Sequence, residues 1–118
     1  MTVAQEVKNS RSKAFREVVD NHESGNASTI NWKLGNKQKI TLTGSPNCTL
    51  TFINSYGPAN MNLELFQGPG GSKTISWPIL VVWPNKSAAP MLSTIEGDED
   101  LVCLYWNGSR YLCALAAY

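Results

Sequence analysis

The sequence is poor in the groups on which most enzyme chemistry depends. It holds a single histidine, His22, so a Ser–His–Asp or Cys–His catalytic set would have to use it. His22 sits in a polar stretch beside Asn21 and Glu23 and reads as a surface bystander. Cysteines number three, an odd count that excludes a complete internal disulfide framework. All three, Cys48, Cys103 and Cys113, lie inside apolar runs and read as small buried hydrophobes in a chain that matures in a reducing cytoplasm, with a Cys103–Cys113 bridge left open. No pair of cysteines or histidines has zinc spacing. Charge is also scarce: 16% of residues against the ~25% of an ordinary soluble domain. A net charge of +1 removes the broad electrostatic case for nucleic acid or an anionic membrane. The longest apolar runs, Ile79 to Trp83 and Leu101 to Trp106, fall far short of the ~20 residues that cross a bilayer. No secretion-signal pattern opens the chain.

What is present is enough for one core: 118 residues, 42% of them hydrophobic. Composition changes near residue 25. Thr2 to Asn21 is rich in charge and free of Gly and Pro, opens with capping-box spacing and ends before Ser24-Gly25-Asn26, which predicts a helix. Its apolar residues Val7, Ala14, Phe15 and Val18 form a stripe too thin to bury it alone. Residues 1–27 therefore read as an N-terminal arm, helical or extended, for anchoring or trimerisation. From Ser28 onward the chain becomes short β-prone runs between Gly, Pro, Asn and Ser. Lys39 to Thr43, Cys48 to Phe52 and Met61 to Leu65 alternate strictly. Seven or eight such strands predict a mainly β domain over residues 28–118, an antiparallel sandwich or jelly roll. No 20–50-residue period recurs, which argues against a solenoid.

The last two runs, joined by the hairpin signal Asn107-Gly108, do not alternate. A two-layer body gives each strand one buried face, so their second apolar face needs a cover. The expected cover is a neighbouring subunit, with Val102, Leu104, Trp106, Leu112 and Ala114 at the interface; the arm is the alternative, and its apolar stripe is narrow for such a face.

Other features have plainer readings. Gly68 to Lys73 lacks P-loop spacing and leads into a strand, so it is a loop. Glu96-Gly97-Asp98-Glu99-Asp100 does not have EF-hand spacing and reads as a turn in which Asp100 fixes the start of the next strand, with Ca²⁺ binding as the alternative. The four tryptophans and four tyrosines read as core or interface anchors, with a sugar-stacking surface as the alternative. No catalytic residue, metal site or cofactor is expected.

One stretch carries a family likeness. Trp77-Pro78-Ile79-Leu80-Val81-Val82-Trp83-Pro84 is followed by Ala89-Pro90-Met91-Leu92-Ser93-Thr94, then Gly97, Asp100 and a strand to Trp106-Asn107-Gly108 and Tyr111. Together with Trp32 and the runs Ile40 to Gly44 and Thr49 to Phe52, this resembles a small β-sandwich module of bacteriophage head-fibre, decoration and tail-fibre tip proteins. The likeness covers about Ile30 to Ala114. It departs at Asn85-Lys86-Ser87, where the family usually carries glycine. The resemblance implies a non-enzymatic virion protein, commonly a homotrimer, whose partners are other capsid or tail proteins. With residues 1–27 ahead of the sandwich, the expectation is a short arm docked on the particle rather than a fibre shaft. The competing expectations are a tip module that recognises host cell-surface glycan and a hydrolase acting through the acidic loop. The hydrolase would need two carboxylates facing each other ~5–10 Å apart.

Overall fold

A computed structural model describes residues 17–118, which form nine strands and two short 3-10 turns. The strands are β1 (Val19–Glu23), β2 (Ala27–Asn31), β3 (Lys37–Leu42), β4 (Asn47–Ile53), β5 (Ala59–Gln67), β6 (Thr74–Ser76), β7 (Val81–Val82), β8 (Glu99–Trp106) and β9 (Tyr111–Ala117). They make a six-stranded sheet, ordered β1-β3-β5-β8-β9-β7, and a three-stranded sheet, ordered β2-β4-β6. The chain is mainly β with two sheets, as its alternating runs predict.

Strand direction differs from expectation. The first six strands alternate between the sheets, and each lies parallel to the one two before it. One turn of this coil takes between 18 residues (Glu23 to Thr41) and 27 (Asn47 to Thr74). Among the described strands only β5–β8 and β8–β9 pair antiparallel. The reason lies in what alternation reports: which side chains face inward, and nothing about the neighbour's direction. The corner at Gly44 to Asn47 resembles a hairpin turn yet hands the chain to the opposite sheet. It is tight enough that a Cβ on Gly44 would lie 2.5 Å from the Asn47 carbonyl oxygen. The coil exists without a sequence repeat because its turns have different lengths.

The expected helix from Thr2 to Asn21 does not extend to its C-terminal end. Val19–Glu23 is an edge strand, and the folded body starts ahead of residue 28. Asn21 Nδ2 donates to Gln38 Oε1 (2.9 Å) and the Lys39 carbonyl (3.2 Å), and Lys39 Nζ lies 3.6 Å from Asp20. A free sheet edge outweighs a weak helical preference here. The Asp20 carboxyl sits below the usual carboxylate range, chiefly because it accepts the His22 backbone N–H, with Lys39 adding to the effect. The arm residues Val7, Ala14 and Phe15 lie outside the described residues; Val18 is exposed.

Both sheets contribute to one buried cluster. Ile30, Cys48 and Leu50 come from the smaller sheet, and Ile40, Leu42, Met61, Leu63, Leu65, Val102 and Leu104 from the larger. Two buried glutamines close the ends of the coil. Gln38 donates to the carbonyls of Asn31 (2.8 Å) and Gly35 (2.9 Å) and so secures the corner after β2. Gln67 exchanges two hydrogen bonds with the Lys73 backbone, 2.9 and 3.0 Å, like a missing strand neighbour. Each sits at an inward position of an alternating strand, where a polar group must find partners or destabilise the core. Gly68, next in the chain, donates to the Leu42 carbonyl at 2.9 Å; a Cβ there would lie 2.2 Å from that oxygen.

Candidate functional site

The C-terminal ribbon, β8 and β9, is the feature that the described residues leave uncovered on one face. Its connection is a four-residue loop rather than the two-residue turn that Asn107-Gly108 signals. Asn107 Oδ1 accepts from the backbone N–H groups of Ser109 and Arg110, both at 2.9 Å, and Asn107 N donates to the Arg110 carbonyl. Trp106 therefore pairs with Tyr111, and the register runs Leu104 with Cys113 and Val102 with Leu115.

Residues directly opposite in an antiparallel pair share a face. In this register even-numbered residues of β8 always meet odd-numbered residues of β9. The expected interface of Val102, Leu104, Trp106, Leu112 and Ala114 thus mixes two faces and needs correction. Val102 (0% exposed) and Leu104 (3%) belong to the chain's own core, and Trp106 packs against it. The outer face is Leu101, Cys103 and Tyr105 opposite Ala116, Ala114 and Leu112. Tyr105 is 40% exposed and Leu112 41%. Two of the five expected residues, Leu112 and Ala114, are on the face left open to a partner.

This outer face changes character across the sheet. On β5 the residues beside it are Asn60, Asn62 and Glu64, paired with Tyr105, Cys103 and Leu101. On β3 Lys37 and Lys39 follow. One half of the six-stranded sheet is polar outside in the usual way; the ribbon half is apolar on both sides. Such a patch on a chain whose core is already filled is the usual mark of a contact surface.

The cysteines differ in reach. Cys103 is exposed on the ribbon, whereas Cys48 and Cys113 are buried and all three are free. Burial pushes the Cys113 thiol up to about 12 and raises Cys48 as well. The thiolate is the reactive form, so these two stay inert near neutral pH. Iodoacetamide at pH 8, with the chain diluted to nanomolar concentration, is expected to label Cys103 alone. Cys48 and Cys113 should react only after denaturation, as digestion and mass spectrometry will show.

The remaining candidates have structural duties. Three carboxylates of the acidic turn have a nearby donor: Glu96 accepts from Gly70 N (2.9 Å), and Asp98 from Ile95 N (3.2 Å). Asp100, 2% exposed, takes the Ser93 backbone N–H on one oxygen (2.8 Å) and the Ser93 hydroxyl on the other (2.7 Å). It fixes the start of β8, as its position predicts, and holds the extended segment before it. Among the described residues no group of three or more His, Cys, Asp or Glu is gathered for a metal ion. Nor, among them, is any helix long and apolar enough to cross a membrane. His22 is on the exposed edge strand β1.

Most of the aromatic residues pack into or against the core. Ring contacts run Trp32–Phe52–Tyr111–Trp106 at centroid distances of 5.5, 5.1 and 4.5 Å, and Trp77 meets Trp83 edge-on at 5.2 Å. Tyr111 also shares a hydrogen bond with Ser55, and burial raises its phenol above the ordinary value. The anchor reading of these rings holds; Tyr56, Tyr105 and Tyr118 are exposed.

A groove beside β6, which the sequence did not foretell, is lined by Ile75, Trp77 and Ala89 to Leu92. Of its lining, Met91 is an exposed apolar residue that the strand pattern leaves unplaced. No known protein family, curated protein or solved structure matches the chain.

Proposed function

We propose that this chain is a non-enzymatic structural module that assembles with copies of itself, as a homotrimer, on the outside of a bacteriophage particle. The two-sheet body acts as an outward-facing sandwich, and the ribbon packs toward the subunit axis. The observation that carries this reading is the apolar outer face of the ribbon, Leu101, Cys103, Tyr105, Leu112, Ala114 and Ala116, on a chain whose core is complete without it. The ordered Trp-Pro, Ala89-Pro90 and Trp106-Asn107-Gly108 elements support the choice of particle. The bonds made by Glu96, Asp98 and Asp100 support a structural rather than a chemical role for the acidic turn.

The test is uptake. Purified chain mixed with particles lacking it should sediment with them at saturable stoichiometry, in multiples of three per attachment point. Chain that stays in the supernatant at every concentration contradicts the reading.

A further inference from the structure

The free edge of the larger sheet ends in a cationic groove below an apolar tip. β7 pairs with β9 on one side and with no described strand on the other. Ahead of it the chain reverses over Pro78 to Val81, a turn closed by Val81 N donating to the Pro78 carbonyl (3.1 Å). Ile79 stands at the tip of this turn, 96% exposed, and Leu80 follows at 45%. Tyr111 N donates to the Leu80 carbonyl (3.0 Å), which sets Arg110, one residue earlier, at the base of the tip. After β7 the 3-10 turn Pro84–Lys86 redirects the chain. The groove so framed is about 370 Å³ and is lined by Val81, Val82, Trp83, Lys86, Ser87 and Arg110.

Two observations point to an anion there. The first is charge. Both charged residues of the groove are basic and exposed, and among the described residues neither has a carboxylate partner. The acidic turn is too far away to offset them: Asp100 pairs with Ala117 at the other end of the ribbon, whereas Tyr111, beside Arg110, pairs with Trp106. The second is the backbone. Asn85 and Lys86 adopt φ of 59° and 56°, in the left-handed region. Asparagine tolerates that conformation and glycine takes it freely, but lysine gains nothing locally from it. Strain of this kind collects at functional sites. Here the strained residue is the second cation of the groove.

We propose that this groove binds the phosphate of anionic lipid headgroups, with Ile79 and Leu80 entering the bilayer beside it. The net charge of +1 is an average over the chain and does not describe this end of it. The form of the patch selects the occupant. A protruding isoleucine needs a matched cavity in a rigid protein partner, whereas the headgroup region of a bilayer parts around it. An added peptide strand would meet an edge of two residues, too short to hold its register. A sugar would find no exposed ring in the groove to stack on, because Trp83 is 5% exposed and turned edge-on to Trp77. Cations flanking an aliphatic tip suit an interfacial lipid contact. The proposal does not depend on self-association.

Flotation of the full chain with lipid vesicles tests it. Vesicles of mixed phosphatidylcholine and phosphatidylglycerol should carry the chain upward, and pure phosphatidylcholine should carry several-fold less. Lys86→Gly and Arg110→Gln should each weaken binding about fivefold, the share of one basic residue at an anionic surface. Lys37→Gln removes the same charge from β3 and should bind like the unmodified chain. Ile79→Ser should weaken binding at least as much as either cation variant. Urea unfolding separates a structural role from this one: Lys86→Gly should keep or raise the midpoint while losing affinity. Equal flotation with both vesicle types overturns the proposal, as does an equal loss in Lys37→Gln and Lys86→Gly. A chain that floats with neither vesicle at any lipid concentration also overturns it. Binding of inorganic phosphate in calorimetry would then assign the groove to a soluble phosphate instead.

Discussion

Leu112→Glu is expected to abolish self-association while leaving the fold intact. Leu112 stands opposite Tyr105 at the loop end of the ribbon's outer face and is 41% exposed, so a carboxylate there meets water in the single chain. Surface changes of this kind alter stability by about 0.5 kcal/mol or less. In an assembly packed through the ribbon, each copy would bury that charge against apolar residues without a partner. Such a group costs several kcal/mol, which raises the concentration needed for association at least a hundredfold. Lys37→Glu, on the polar half of the same sheet, changes charge by more and should change association little. Equal loss in both variants would mean that net charge, not the ribbon, governs assembly.

Asp100→Ala should produce the largest loss of stability of any single polar substitution. Both carboxylate oxygens are committed to Ser93, and the residue is 2% exposed on an inward position of β8. Hydrogen bonds to a charged group contribute about 1.5–3 kcal/mol each, and removing this one acceptor strips Ser93 of two partners at once. A loss of about 3 kcal/mol is expected from urea unfolding, seen as a lower midpoint. Ser93→Ala should cost less, since its backbone N–H still meets Asp100.

These two sites show how differently the sequence exposes its contents. Asp100 was legible because a carboxylate at the head of an apolar alternating run has few roles other than fixing the strand's start. The two-sided apolar character of the ribbon was legible too, as lost alternation over Leu101 to Trp106. Which residues share a face was not, because that depends on the register. Register followed from Asn107, whose side chain gathers two backbone N–H groups and lengthens the loop to four residues. Parallel winding was hidden for a related reason: β3 and β4 have the pattern of a hairpin, and the contacts that send them to different sheets are made by residues remote in sequence. Gln38 and Gln67 carried a readable hint, since each is a polar residue at an inward position, but their partners belong to loops whose paths only the coil defines. The strand at Val19–Glu23 was masked by a polar composition that suits a helix equally well, and its place was decided by the free edge of β3.

Self-assembly of this chain depends most on the ribbon's outer face being a contact between copies. Sedimentation velocity of the unmodified full chain, from about 1 to 100 μM in moderate salt, measures this directly. The account predicts a shift with concentration from a 12.9 kDa species to one three times that mass, with Cys103 becoming protected from iodoacetamide over the same range. A single 12.9 kDa species at every concentration, with Cys103 labelled at an unchanged rate, would contradict it.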